Sequence, residues 1–144
     1  MNILIPDNWL RMYLKTKATP QEIKEYLSLC GPSIERIYGE GNECVYDIEI
    51  TGNRPDAMSV MGVAREAATI LPRFGIAATL VGDPYREKVV FPKSKNELKL
   101  TLATDATLNP RWMSLIFDNV TVKASPTWLT KYLELAGMRS LNNV

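Results

Sequence analysis

TGNRPDAMSVMGVARE, residues 51–66, follows an alternating strand pattern and leads into a run of small and apolar residues, so it marks where strand gives way to helix. Gly52 and Asn53 are turn formers, and Pro55 keeps Arg54 out of the α region. Asp56 is then placed to cap, its carboxylate accepting from the amide of Met58 or Ser59 and its charge complementing the positive helix end. Val60, Met61, Ala64, Ala67, Ala68 and Leu71 fall on one stripe, with alanines that let a neighbouring helix approach closely. Pro72 ends the run. The grouping reads as a rigid corner made by Asn53, Arg54, Pro55 and Asp56. It presents Arg54 at a domain junction, where its planar fork can clamp a carboxylate or carbonyls across the boundary or touch an RNA phosphate.

Upstream, residues 2–6 read as a short apolar strand, and Asp7 is placed to cap a helix carrying Trp9, Leu10, Tyr13 and Leu14 on one face. A second helix has a capping box: Thr19 at the N-cap, Pro20 at the first helical position and Glu22 at the third, then Ile23, Tyr26, Leu27 and Cys30 on a stripe. Gly31 supplies a left-handed end and Pro32 blocks continuation. The period then changes to two. Ile34 and Arg36 face opposite to Glu35 and Ile37, and Cys44, Tyr46, Ile48 and Ile50 alternate with Val45, Asp47, Glu49 and Thr51, with the hairpin loop GEGNE (39–43) between.

Downstream, residues 76–96 read as an extended connector with one short strand at 76–81. Leu98, Leu100 and Leu102 alternate with polar residues, and 111–123, RWMSLIFDNVTVK, reads as a strand long and apolar enough to sit inside a sheet. Ser125 is placed to cap a helix with Pro126 at its first position; Leu129, Tyr132, Leu133 and Ala136 form its buried face, and Gly137 closes it. Two or three strands and one helix are too few to cover both faces of a sheet, so this second unit is expected to be incomplete. The expected class is α+β: a domain at 1–75, a connector at 76–96 and the start of a second domain at 97–144.

The 144 residues are 46% apolar and 23% charged, which fits a folded chain. Net charge is +1, split −2 over residues 1–75 and +3 over 76–144, without the basic field typical of nucleic-acid binders. Histidine is absent, which argues against hydrolase triads and zinc sites. Cys30 and Cys44 lack CxxC spacing and read as a buried reduced pair. No run has the length of a signal peptide or a membrane span, so the expected location is cytoplasmic. Asp47 and Glu49 share a strand face as ordinary exposed carboxylates, and Gly39, Gly41 and Gly52 fit no phosphate-binding spacing. Trp9, Trp112 and Trp128 could stack bases, but each lies on a stripe that already reads as core. No catalytic residue and no metal site is expected.

The 51–66 stretch also resembles the NRPD-x-x-S-x-x-G-x-ARE signature of the β subunit of bacterial-type phenylalanine–tRNA ligase. MNILIPDNWLRMYL with TPQEIKEYLSLCGPSIERI is similar to that subunit's N-terminal domain, and NPRWMSLIFDNVTVKASPTWLTKYLELAGMRSLNNV is similar to the opening of its editing domain. The resemblance implies a winged-helix-like module at 1–75 and the beginning of an editing-type domain at 97–144. It also implies an α2β2 heterotetramer with an α subunit, which charges tRNA(Phe) using ATP and Mg2+ at a site in the α subunit. Asn142 and Asn143 match the approach to the editing pocket, not its chemistry. Most bacterial members carry an inserted tRNA-binding oligonucleotide-fold domain after the second helix; this chain passes from Cys30 to the NRPD strand in roughly twenty residues. On this reading the stretch is a scaffold with a possible tRNA-side surface and no DNA or membrane partner. A free-standing winged-helix-like nucleic-acid-binding module is the alternative. A standalone editing factor would need a pocket of histidines or threonines after Asn143.

Overall fold

The computed structural model describes residues 1–83, 88, 90 and 99–144. Leu98 and most of the connector at 84–97 therefore lie outside the described residues. The architecture is α+β. β1 (Asn2–Pro6), β4 (Val45–Glu49) and β3 (Ser33–Tyr38) make an antiparallel sheet in the order β1-β4-β3, and β2 (Leu14–Thr16) pairs antiparallel with β5 (Ala78–Leu80). Helices α1 (Asp7–Tyr13), α2 (Pro20–Cys30) and α3 (Val60–Ile70) pack with these sheets, and α4 (Thr127–Leu135) lies against β1.

Alternation in β4 drives the core. Cys44, Tyr46, Ile48 and Ile50 are all buried with Ile5, Leu10, Ile23, Leu27 and the α3 stripe Val63, Ala64 and Ala67. In β3 the sequence pattern is interrupted by a bulge at Glu35: Ile34 pairs with Ile48 but Arg36 with Asp47, so the extra residue resets the facing of every residue after it. Simple alternation from Ile34 assigns those facings wrongly for that reason. In the 39–43 loop, Gly39 and Gly41 both take positive φ (70° and 56°), as the hairpin reading requires.

Helix ends follow sequence where capping is local. Thr19 accepts from the Glu22 amide at 3.2 Å, and the Glu22 carboxylate accepts from the Thr19 amide at 2.7 Å, completing the capping box. The Thr19 amide, and then the Thr19 hydroxyl donating to the same carboxylate at 2.8 Å, hold the Glu22 carboxyl below its usual range. We expect Thr19→Ala to lower stability by about 1 kcal/mol, read as a reduced urea midpoint at unchanged slope. At α1 the expectation fails. The N-cap is Pro6 with no side-chain bond, and Asp7 is the first helical residue, its carboxylate turned inward to Tyr46 and Arg11. Gly31 ends α2 with φ −141°, not left-handed; its missing Cβ matters because one would lie 2.7 Å from Ile70 Cδ1. Cys30 is exposed and only Cys44 is buried, and both are free thiols, so the expected buried pair is half right.

Beyond β5 no further strand occurs among the described residues. Residues 111–123 form no strand, with Asn119 in the left-handed region at φ 55°, and Trp112 and Trp128 are exposed rather than core. Side-chain alternation identifies a strand-like face, but a strand also needs a neighbour for its amides and carbonyls. α4 starts one residue later than expected, with Pro126 at the N-cap, and Ser125 Oγ donates instead to the Asn142 carbonyl at 2.5 Å. Its Leu129, Tyr132, Leu133 and Ala136 stripe is half-buried, and Gly137 closes it at φ +73°.

Candidate functional site: the 51–66 corner

A turn at 51–54, closed by the Arg54 amide on the Thr51 carbonyl at 2.9 Å, delivers the chain into a single 3-10 turn, Pro55–Ala57. Pro55 sits where its fixed φ suits the first helical position and its missing N–H costs nothing. Arg54 folds back over this turn. Its Nε and Nη2 donate to the two carboxylate oxygens of Asp56 at 3.0 and 2.9 Å, and Nη2 also donates to Glu66 Oε1 at 2.6 Å. The two carboxylates raise the Arg54 pKa, Asp56 first, and the guanidinium holds the Asp56 carboxyl below its usual range. Arg65 Nη2 adds a 3.3 Å bond to the Asp56 carbonyl.

Asp56 is therefore not the helix cap. The amide of Met58 bonds to the Pro55 carbonyl within the 3-10 turn, and Ser59, in extended conformation immediately before Val60, caps α3 by accepting from the Gly62 amide at 3.0 Å. Sequence reading missed Ser59 although the signal was present, since a serine directly ahead of the first periodic apolar residue is the usual cap position. Gly62 was also missed. A Cβ there would lie 2.1 Å from the Asp56 carbonyl oxygen and 2.8 Å from Ala57 Cα, so the 3-10 turn passes flush against the first turn of α3 only because residue 62 has no side chain.

Each fixed letter of the NRPD-x-x-S-x-x-G-x-ARE pattern from Arg54 onward thus has a mechanical task in one knot. Arg54 ties Asp56 to Glu66, Pro55 starts the turn, Ser59 caps, Gly62 admits the backbone, Ala64 is fully buried, and Arg65 and Glu66 return to the turn. Curated proteins named phenylalanine–tRNA ligase β subunit align with this chain. The one from Porphyromonas gingivalis is 36% identical over 113 residues (78% of this chain), that from Clostridium tetani 36% over 129 residues (88%), and that from Thermotoga maritima 40% over 114 residues (79%). The chain is homologous to the phenylalanine–tRNA ligase β subunit. The aligned stretch spans 13%, 14% and 13% of those three β subunits, so it corresponds to a small part of each. No family model matches, and no solved structure matches.

Asn142 and Asn143, which the resemblance leads one to expect near an editing pocket, are engaged locally. The Asn143 side chain accepts from the Lys123 amide at 2.7 Å and donates to the Thr121 carbonyl at 3.2 Å, while Asn142 Oδ1 accepts from the Val144 amide at 2.9 Å. They fasten the last residues to 121–125. Asp56 and Glu66 both face the Arg54 guanidinium, and carboxylates so paired disfavour a metal cation at the corner. Among the described residues no group of three or more Cys, Asp or Glu could hold a metal ion, and no helix is long and apolar enough to cross a membrane.

A groove of about 900 Å³ runs from β1 across Trp9 and Tyr13 to Met58 and Met61, bounded by Ala136–Met138 at the end of α4. α4 is held there by Trp9 against Tyr132 (ring centroids 5.4 Å apart), by Leu4 under Gly137, and by Lys131 paired with Glu43 at 2.9 Å.

Proposed function

We propose that this chain acts as a structural module of a phenylalanine–tRNA ligase β subunit, supporting the assembly that charges tRNA(Phe) and contributing no active site of its own. The observation that carries this reading is that the residues of the family signature are spent on one another: Arg54 is taken up by Asp56 and Glu66, and Ser59 and Gly62 by the helix entrance. A corner so constituted fixes geometry rather than performing chemistry. Residues 1–75 serve as the winged-helix-like module, 76–96 as connector and 97–144 as the beginning of the editing-type domain. The partner is the α subunit of an α2β2 enzyme, which supplies the synthetic site with its ATP and Mg2+ in the cytoplasm. Contact with tRNA is secondary, since no oligonucleotide-fold domain separates α2 from β4.

A chimera tests this: the chain replaces its aligned stretch in the Clostridium tetani β subunit, and the product is co-expressed with that species' α subunit. The expected result is co-purification and tRNA(Phe) charging within a few-fold of the parent, while the 144-residue chain alone shows neither charging nor hydrolysis of tyrosyl-tRNA. Failure of the chimera to bind the α subunit, or turnover by the chain alone, overturns the proposal. Salt-sensitive capture of tRNA and duplex DNA by the chain alone would favour the free nucleic-acid-binding module instead.

A further inference from the structure

We propose that residues 76–81 form a detachable strap on the first module, releasing as one unit between two glycine hinges and so giving the connector two working lengths. Gly75 at φ +79° and Gly82 at φ +66° bracket the segment, and both lie in the left-handed region that glycine enters without strain. The near side of the first hinge is firm. Leu71 is fully buried and Phe74 stacks on Tyr26 with ring centroids 4.4 Å apart, so the chain is anchored up to Gly75. Beyond it the hold is thin. β5 pairs with β2 over three residues, Leu80 with Leu14, Thr79 with Lys15 and Ala78 with Thr16, against five pairs in each ladder of the other sheet.

Burial marks the same segment. Among the described residues β5 is the one strand without a buried residue, whereas β1, β2, β3 and β4 each bury at least one. Ile76, Ala78 and Leu80 rest half-buried against the core without being enclosed by it, and Ala77, Thr79 and Val81 are exposed. Besides the ladder, the Thr16 hydroxyl donates to the Ala77 carbonyl at 2.8 Å and the Val81 amide to the Tyr13 carbonyl at 2.8 Å. Segments with little enclosed apolar surface and solvent-exposed backbone bonds sit at the low end of local stability and open while the rest of the domain stays folded. Release adds six residues, about 20 Å of extended chain, between α3 and the 97–144 unit, and the β1-β4-β3 sheet keeps its bonds. The inference rests on the reading of 76–96 as a connector, but the strap's own behaviour is measurable on this chain without an α subunit.

Native-state hydrogen exchange of the 144-residue chain, followed residue by residue in urea below the unfolding transition, tests this. Because the Val81 amide bonds to Tyr13, the alternation of an antiparallel pair makes Lys15 and Thr79 the next bonded pair, so the Lys15, Thr79 and Val81 amides report release. We expect these three to share one opening equilibrium, at least tenfold more favourable than that of the Tyr46 and Ile48 amides in β4 and nearly independent of urea, since release exposes little surface. Gly75→Ala adds a methyl that meets nothing within 4 Å but strains the left-handed backbone, and release relaxes that strain, so exchange at Thr79 and Val81 should quicken about tenfold. Three amides that open only together with the β4 amides, and with the same urea dependence, overturn the proposal. So do openings graded from Val81 inward, which mean fraying of an end rather than release of a unit, and so does unchanged exchange in Gly75→Ala. The parent chain alone decides the matter should that variant fail to fold. None of these outcomes alters whether the chimera binds the α subunit, so the strap and the structural-module reading fail separately.

Discussion

Gly62→Ala is expected to lower stability by about 2–3 kcal/mol, the overpacking cost of about 3 or more offset by the roughly 1 kcal/mol that alanine gains over glycine inside a helix. The sign is decided by what the new methyl meets. At 2.1 Å from the Asp56 carbonyl oxygen and 2.8 Å from Ala57 Cα, it strikes backbone on both counts, and a 3-10 turn pinned by Pro55 and by Arg54 has no rotamer with which to retreat. Relief requires the Pro55–Ala57 turn to lift off α3, which also breaks the Arg54–Glu66 and Arg65–Asp56 ties. Urea denaturation measures the loss as a fall in midpoint. Gly52→Ala is the control: nothing lies within 4 Å of a Cβ there and its φ is not in the left-handed region, so the change should stay within about 0.5 kcal/mol. Equal effects at the two glycines would mean that the close approach at Gly62 does not constrain the corner.

Gly62 also shows where reading a sequence stops. β1, the capping box of α2, the inward face of β4 and the short strand at 78–80 were legible because each is written in neighbours one to four residues apart. The tie from Arg54 to Glu66 spans twelve positions with no periodicity to announce it, and the need for glycine at 62 arises from backbone passing outside its own helix. Asp56 and Ser59 competed for one cap. Both are good cap residues, and the decision fell to conformation, since Ser59 is extended next to Val60 while Asp56 is held inside a 3-10 turn by its guanidinium partner. The 111–123 segment illustrates the opposite limit. Its strand-like residues are real, but pairing is a property of two segments, and its partner is not written in its own periodicity.

The second large effect lies in the core, where Asp7 was read as a cap and proved to be a buried acceptor. Its carboxylate is 7% exposed as a residue, accepts from the Tyr46 hydroxyl at 2.5 Å and from Arg11 Nε at 2.7 Å, and Arg11 continues to the Ala18 carbonyl at 2.8 Å. Asp7→Ala leaves a hydroxyl with no partner on a side chain that is 0% exposed, and an arginine without its counter-charge. Breaking a buried pair costs about 3–5 kcal/mol; because the Arg11 side chain keeps 30% of its exposure and can rehydrate, about 3 is expected. Tyr46→Phe leaves Asp7 with Arg11 and should cost about 1 kcal/mol. The two variants separate further with pH. Burial first, then the Asp7 bond and charge, push the Tyr46 hydroxyl far above its ordinary value of about 10. The folded chain therefore holds a proton that the unfolded chain releases above about pH 10, so this contribution is complete below that value and declines as pH rises. Thermal midpoints should show the parent's advantage over Tyr46→Phe intact from neutral pH to about 9 and shrinking toward 11. An advantage that held constant across that range would mean Tyr46 ionises as easily inside the core as in the unfolded chain, which its bond to a carboxylate at zero exposure forbids.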